Sequence, residues 1–146
     1  MLTECYCTEF RRLANALTGI YDQELRSIGL KVTQLTLLRA IDEVDSPTFN
    51  IIADRVGLNA STLSRNIKLL IDAGWVKAIG DADARVKVAV LTTSGRRILK
   101  TAEPHWRRAQ AQVDSFLSKR LNAAGKAALN AVLEAVPSIC ESPRIP

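Results

Sequence analysis

Two short amphipathic stretches hinged on a single glycine constrain this chain more than any other feature. They run Ile52-Ala53-Asp54-Arg55-Val56-Gly57-Leu58-Asn59-Ala60-Ser61-Thr62-Leu63-Ser64-Arg65-Asn66-Ile67-Lys68-Leu69-Leu70. Asn50 is placed to cap a helix over 51–56, and Asn59 to start one over about 60–73, which Gly74 stops. Gly57 admits the positive φ of a sharp turn. Ala53 is small enough for the helices to cross closely, and Leu58, Leu63 and Ile67 bury the second against the first. The spacing predicts a helix-turn-helix whose second helix exposes Ala60, Ser61, Thr62, Ser64, Arg65 and Lys68. Such a face suits a duplex groove: arginine donates twice to guanine, hydroxyls bond bases or phosphates, and a helix N-terminus favours phosphate. An ordinary helical pair with a polar face fits the same pattern.

The period then changes. Trp75, Val76 and Ile79, and later Val86, Val88, Val90 and Leu91, are mostly β-branched, and Val86, Val88 and Val90 alternate with Lys87 and Ala89. The intervening Gly80-Asp81-Ala82-Asp83-Ala84-Arg85 is turn-forming, so a β-hairpin is expected with Arg85 near its tip. An arginine there can enter a minor groove, held by Asp83 two residues earlier, with Lys87 on the returning strand as a further contact. The bland alternative is a solvated ion pair worth about 0–1 kcal/mol.

Charge follows the same segment. From Arg55 to Lys100 there are nine basic and three acidic residues, a net of +6, while the remainder of the chain carries −1. A localised basic segment is the footprint of a polyanion binder, although a solvated surface also produces one.

Helices are expected on both sides. Residues 9–29 carry a stripe of Phe10, Leu13, Leu17, Ile20, Tyr21, Leu25 and Ile28, ending at Gly29. Thr33 can cap a helix over about 34–45 with Leu35, Leu38, Ile41 and Val44 inward, broken by Ser46-Pro47. Thr92 or Thr93 can cap a helix over 93–120, striped with Trp106, Ala109, Val113, Phe116 and Leu117, which Pro104 should kink or divide. Asn122 can cap a last helix through Val136, ended by Pro137. The order α-α-(short β)-α-α-β-β-α-α is a mainly α fold with a small β-hairpin (α+β), a single domain over 1–146. Residues 31–92 form its winged helix-turn-helix centre, and residues 1–30 and 93–146 a helical dimerisation region. The outer stripes exceed what so small a centre can cover, so a symmetric homodimer is expected.

Other classes of function find little support. With 47% apolar and 24% charged residues, the 146-residue chain matches an ordinary globular protein. Met1-Leu2-Thr3-Glu4 lacks the layout of a secretory signal, and no run approaches the roughly 18 apolar residues of a membrane span, so a cytoplasmic protein is expected. Three cysteines, an odd number, point to reduced thiols. There is no glycine-rich phosphate loop, no HExxH, no G-x-S-x-G and only one histidine, so an enzyme is not expected, nor a cofactor. Cys5-x-Cys7 with His105 or Cys140 is weak evidence for a metal site. The alternative to DNA binding is a protein-interaction module on the same fold.

Several of these stretches together resemble the MarR family of bacterial regulators, over almost the whole chain. The likeness is strongest at Ser61-Thr62-Leu63-Ser64-Arg65, at Ala73-Gly74-Trp75-Val76, at Asp83-x-Arg85 followed by Leu91-Thr92, and at Gly95-Arg96-Arg97 through Pro104-x-Trp106. The resemblance implies a winged-helix dimer with intertwined terminal helices on a pseudo-palindromic operator. Ser61, Thr62, Ser64, Arg65 and Lys68 would enter the major groove and Arg85 the minor groove. Many members carry a second arginine before this aspartate; here Ala82 and Ala84 thin the wing, which implies a modest contribution from it.

The resemblance also implies a repressor released by a small aromatic or phenolic ligand, or by an oxidant. A ligand cleft between winged domain and dimer helices would draw on Phe10, Leu17, Tyr21 and Trp106, four residues that equally suit a plain hydrophobic core. Cys7 stands 14 residues before Tyr21. That is similar to the peroxide-sensing branch, where partner tyrosines tune an N-terminal cysteine. Arg11 and Val32, however, replace two of the tyrosines expected there. Arg11 and Arg12 follow Cys7 by about one turn, which favours a thiolate. Cys7, together with Cys5, is thus a redox candidate; an inert cysteine is the alternative.

Overall fold

The computed structural model describes residues 5–80 and 87–141. Helix α1 spans Tyr6–Leu25, followed by a 3₁₀ turn at Arg26–Ile28, α2 at Val32–Asp42, α3 at Phe49–Val56 and α4 at Ala60–Asp72. Strands β1, Val76–Ile79, and β2, Val88–Leu91, precede α5, Thr93–Arg120, and α6, Ala123–Glu141. The chain divides into two compact units, Met1–Ala109 and Gln110–Pro146.

The first unit is built around α2, which buries Leu35, Leu37, Leu38, Ala40 and Ile41. Leu37 and Ala40 lie outside the expected stripe, because α2 is central and meets neighbours on more than one side. Ile52 and Ala53 from α3, Leu63, Ile67 and Leu70 from α4, Leu25, Leu30 and Ala102 complete the core with the sheet. Each fully buried leucine contributes about 2 kcal/mol. The turn between α3 and α4 forms as expected: Gly57 has φ +68°, and the Leu58 N–H donates to the Ala53 carbonyl at 3.0 Å.

β1 and β2 pair antiparallel, Val76 opposite Leu91 and Ile79 opposite Val88. The inward face of β2 is Ala89 and Leu91, with Val88 and Val90 half-buried. The expected alternation is present, with Ala89 and Leu91 on the buried side. The expected short β segment before α3 is present: Thr48 bridges Val88, the Ala89 N–H donates to the Pro47 carbonyl, and the Phe49 N–H donates to that of Lys87. The start of α3 is thereby tied to the hairpin.

Four expected helix signals act differently. Thr48, not Asn50, caps α3, its hydroxyl accepting from the Ile51 N–H, because the chain is already held there by β2. Thr33 lies inside α2 rather than capping it. The amides at the start of that helix are met by the Gln34 side chain, on Lys31, and by Asp22 of α1, on Val32. Neither proline ends a helix. Pro104 lies within an undivided α5 on an exposed side, where solvent can serve the carbonyl it leaves without an N–H partner. α6 likewise runs past Pro137 to Glu141.

Thr92 locks α4, the sheet and α5 together. Its N–H donates to the Trp75 carbonyl, its hydroxyl donates to the Gly74 carbonyl at 2.7 Å, and the Gly95 N–H donates to that hydroxyl at 3.0 Å. A Cβ on Gly95 would collide with the Trp75 carbonyl oxygen, so this approach requires glycine. Further along α5, Glu103 binds Arg107 at 2.8 Å and Arg39 of α2 at 2.9 Å, and the Arg39 guanidinium lies over the Trp106 ring. The Arg107 hydrogen bond, with the charge of Arg39 behind it, holds the Glu103 carboxyl below its usual range.

In the second unit, Asn122 accepts from the Gly125 N–H at 2.8 Å and so caps α6, as expected. Arg120 lies over the Phe116 ring, and α6 leaves Val132 and Leu133 exposed.

Two outcomes follow. Gly95→Ala is expected to cost about 2 kcal/mol or more, read as a lower guanidinium midpoint; an unchanged midpoint would refute the close approach. Because the Glu103 carboxyl is depressed in the folded state, its stabilisation is present above its unfolded value, about 4.3, and fades as pH falls through the lower folded value. Glu103→Gln should therefore lower stability at pH 7 and flatten the acid limb of the stability profile.

Candidate nucleic-acid interface

With Leu63, Ile67 and Leu70 turned inward, helical geometry dictates what α4 shows outward: Ser61, Arg65 and Lys68 with Asp72, flanked by Ser64 and Thr62. Ser61, Ser64, Arg65 and Lys68 are exposed and Thr62 is half-buried, so all five expected α4 contacts share the outward half of one helix. Asn59 caps that helix as expected, its side-chain oxygen accepting from the Thr62 N–H at 2.8 Å.

The cations differ in their surroundings. Lys68 is paired to Asp72 at 3.1 Å and Arg55 to Glu43 at 2.7 Å, both pairs exposed. Among the described residues no ion pair involves Arg65, which leaves its guanidinium available to a base edge or phosphate. Lys87 is exposed at the foot of β2. Asp83 and Arg85 lie outside the described residues. Lys77, exposed on β1, was counted in the basic segment but not singled out as a contact; its register opposite Val90 places it on the wing. Alternation along β1 was the signal that could have found it.

The four expected effector residues lie on α1 and α5. Phe10 is half exposed, Leu17 and Tyr21 are half-buried on α1, and Trp106 packs at the core's edge under Arg39. Two open clefts, of about 350 Å³ beside Asp42, Arg96, Leu99, Lys100 and Glu103 and about 270 Å³ between the end of α2 and β2, are lined by none of the four.

Cys5 and Cys7 are exposed thiols at the start of α1. Arg11 Nη2 donates to Cys7 Sγ at 3.8 Å, one turn away as anticipated. The Thr8 backbone amide and then its hydroxyl, facing the sulfur, hold the Cys5 thiol below its usual range. His105 is engaged elsewhere: Nδ1 lies 2.8 Å from the Glu24 carbonyl oxygen and 2.7 Å from Arg108. Among the described residues no three His, Cys, Asp or Glu side chains are grouped to hold a metal, and no helix is long and apolar enough to cross a membrane.

Comparison with known proteins agrees with this geometry. The sequence pattern of the MarR family matches residues 28–85. The crystal structure of the M. tuberculosis transcriptional regulator MosR in complex with DNA is 34% identical, covers 93% of this chain and 98% of that one, and superposes with a TM-score of 0.78. A second crystal structure of M. tuberculosis MosR is 30% identical, covers 96% of this chain and 100% of that one, and gives 0.76. The S. aureus MepR–DNA complex, 21% identical over 94% and 98%, gives 0.75 and shares the fold. No curated protein sequence matches the chain.

Two variants probe the helix itself. Asn59→Ala should cost about 1 kcal/mol of stability through loss of the cap, whereas Asn50→Ala should cost much less. Equal losses in thermal denaturation would contradict the cap assignment.

Proposed function

The chain belongs to the MarR family, and on that footing we propose that it is a sequence-specific DNA-binding repressor acting as a homodimer on a pseudo-palindromic operator. The observation that carries this reading is Arg65, an exposed guanidinium on the outward side of α4 with no ion-pair partner among the described residues, set beside Ser61, Ser64 and Lys68. In this reading α4 lies in the major groove and Arg85 reaches the minor groove from the wing. The half-exposed Phe10 and Leu13 of α1, and separately Val132 and Leu133 of α6, support dimerisation, since each is apolar surface that its own unit leaves uncovered.

Release from DNA is assigned to a small aromatic or phenolic ligand drawing on Phe10, Leu17, Tyr21 and Trp106, or to oxidation of Cys7 with Cys5 beside it. A ligand acts only through a difference in affinity between the DNA-bound and released conformations. In the thiol route the Cys7 thiolate attacks a peroxide oxygen, giving the sulfenic acid and hydroxide. If Cys7→Ser leaves peroxide-driven release unchanged, that route is wrong.

The test is a salt-titrated anisotropy assay on the DNA upstream of the protein's own gene. Log K should fall with log salt by about 0.9 per phosphate contact. Arg65→Ala should weaken binding at least tenfold, and Arg85→Ala less, because the wing lacks a second arginine. No binding at low salt by a folded dimer would favour a protein-interaction module instead.

A further inference from the structure

Asn59 and Ser61 share a hydrogen bond whose direction is determined. The Asn59 side-chain Oδ1 accepts from the Thr62 backbone N–H at 2.8 Å and lies 2.8 Å from Ser61 Oγ. A backbone N–H can only donate, so this bond identifies the amide atom as the carbonyl oxygen and excludes the flipped side chain. A carbonyl oxygen carries no hydrogen. The proton between Asn59 and Ser61 is therefore the serine's own, and the serine has only one. What Ser61 turns outward, exposed beside Arg65, is a pair of oxygen lone pairs.

We propose that Ser61 reads DNA as a hydrogen-bond acceptor only, so that the base edge it meets carries an exocyclic amino group, adenine N6 or cytosine N4. The inference rests on α4 being the recognition helix. In the major groove guanine presents N7 and O6 and thymine presents O4, acceptors that would oppose the serine's lone pairs. Phosphate oxygens are disfavoured for the same reason, which sets Ser61 apart from the cations around it. To donate to any of these, Ser61 must first give up Asn59. Asn59 Nδ2, on the same exposed amide, adds donors beside this acceptor. A donor next to an acceptor complements adenine, whose N7 accepts where N6 donates, so adenine is favoured over cytosine.

The experiment selects duplexes from a randomised library with the full-length wild type, Ser61→Ala and Asn59→Ala. It then measures wild-type affinity for the winning site with single base analogues. One base pair per half-site should be fixed in the wild-type selection and lose that preference in Ser61→Ala; its adenine or cytosine is the base the analogues replace. Replacing that adenine by purine, or that cytosine by 2-pyrimidinone, removes only the amino group. It should weaken the wild type about three- to tenfold and leave Ser61→Ala unaffected. Asn59→Ala returns the serine's proton and should relax the preference at that pair, because the hydroxyl can then also donate to guanine O6 or thymine O4.

A Ser61→Ala profile that superposes on the wild type's overturns the proposal while leaving the recognition helix intact. Selection of no sequence at all by the wild type overturns the recognition-helix reading, and this one with it. The analogue series needs no variant to fold, and indifference of the wild type to every amino deletion also overturns the proposal.

Discussion

Burial of one side of α4 sets the terms for everything else in the chain. Leu63, Ile67 and Leu70 are at most 1% exposed and pack on α2, α3 and β1. Rotating the helix by a single residue, about 100°, would lift one of these out of the core and carry Arg65 away from solvent. The outward face is thus a consequence of the core rather than a separate design, and its side chains keep their spacing because the core does not yield. Thr92 and the Thr48–Val88 bridge extend the same constraint to the hairpin, so the wing and α4 are held as one piece from below.

On and around that face, from α3 to α5, charges are graded by their neighbours. Lys68 and Arg55 already have carboxylates, and Arg96 is paired to Asp42 at 3.0 Å. Exposed pairs of this kind are worth about 0–1 kcal/mol, weak enough for a polyanion to open. Opening them, however, leaves an acid behind: Asp72 would face whatever Lys68 approaches. Among these cations Arg65 would engage an anion without that compensation in the proposed complex, and Ser61, with its proton held by Asn59, would contribute direction rather than charge. Affinity and selectivity would in this way be divided between different residues of one helix.

Much of this was legible in the residues. The glycine hinge, the α4 stripe, the Asn59 cap, the hairpin and the short β segment all follow from local spacing and turn chemistry. What was not legible depended on distant partners. Thr48 displaced Asn50 as the α3 cap because β2 holds the backbone at Pro47 and Phe49. Asp22 displaced Thr33 because α1 folds against the start of α2. The period of β2 was readable but not which face turns inward; that face is Ala89 and Leu91. Pro104 and Pro137 show that a proline removes one hydrogen bond without necessarily ending a helix. At the candidate interface, the identity of the outward residues was readable, but the direction of the Ser61 hydrogen bond needed the Asn59 rotamer. The four residues expected around an effector line neither of the two open clefts beside α5 and β2.

The most direct measurement is a hydroxyl-radical footprint of the protein on DNA from its own upstream region. A dimer placing two copies of α4 in successive major grooves should protect one face of the duplex in patches whose centres lie about 10–10.5 base pairs apart, or a multiple of that spacing. Uniform protection with no helical phase, from protein shown to be folded, would contradict the assignment of α4 as a recognition helix.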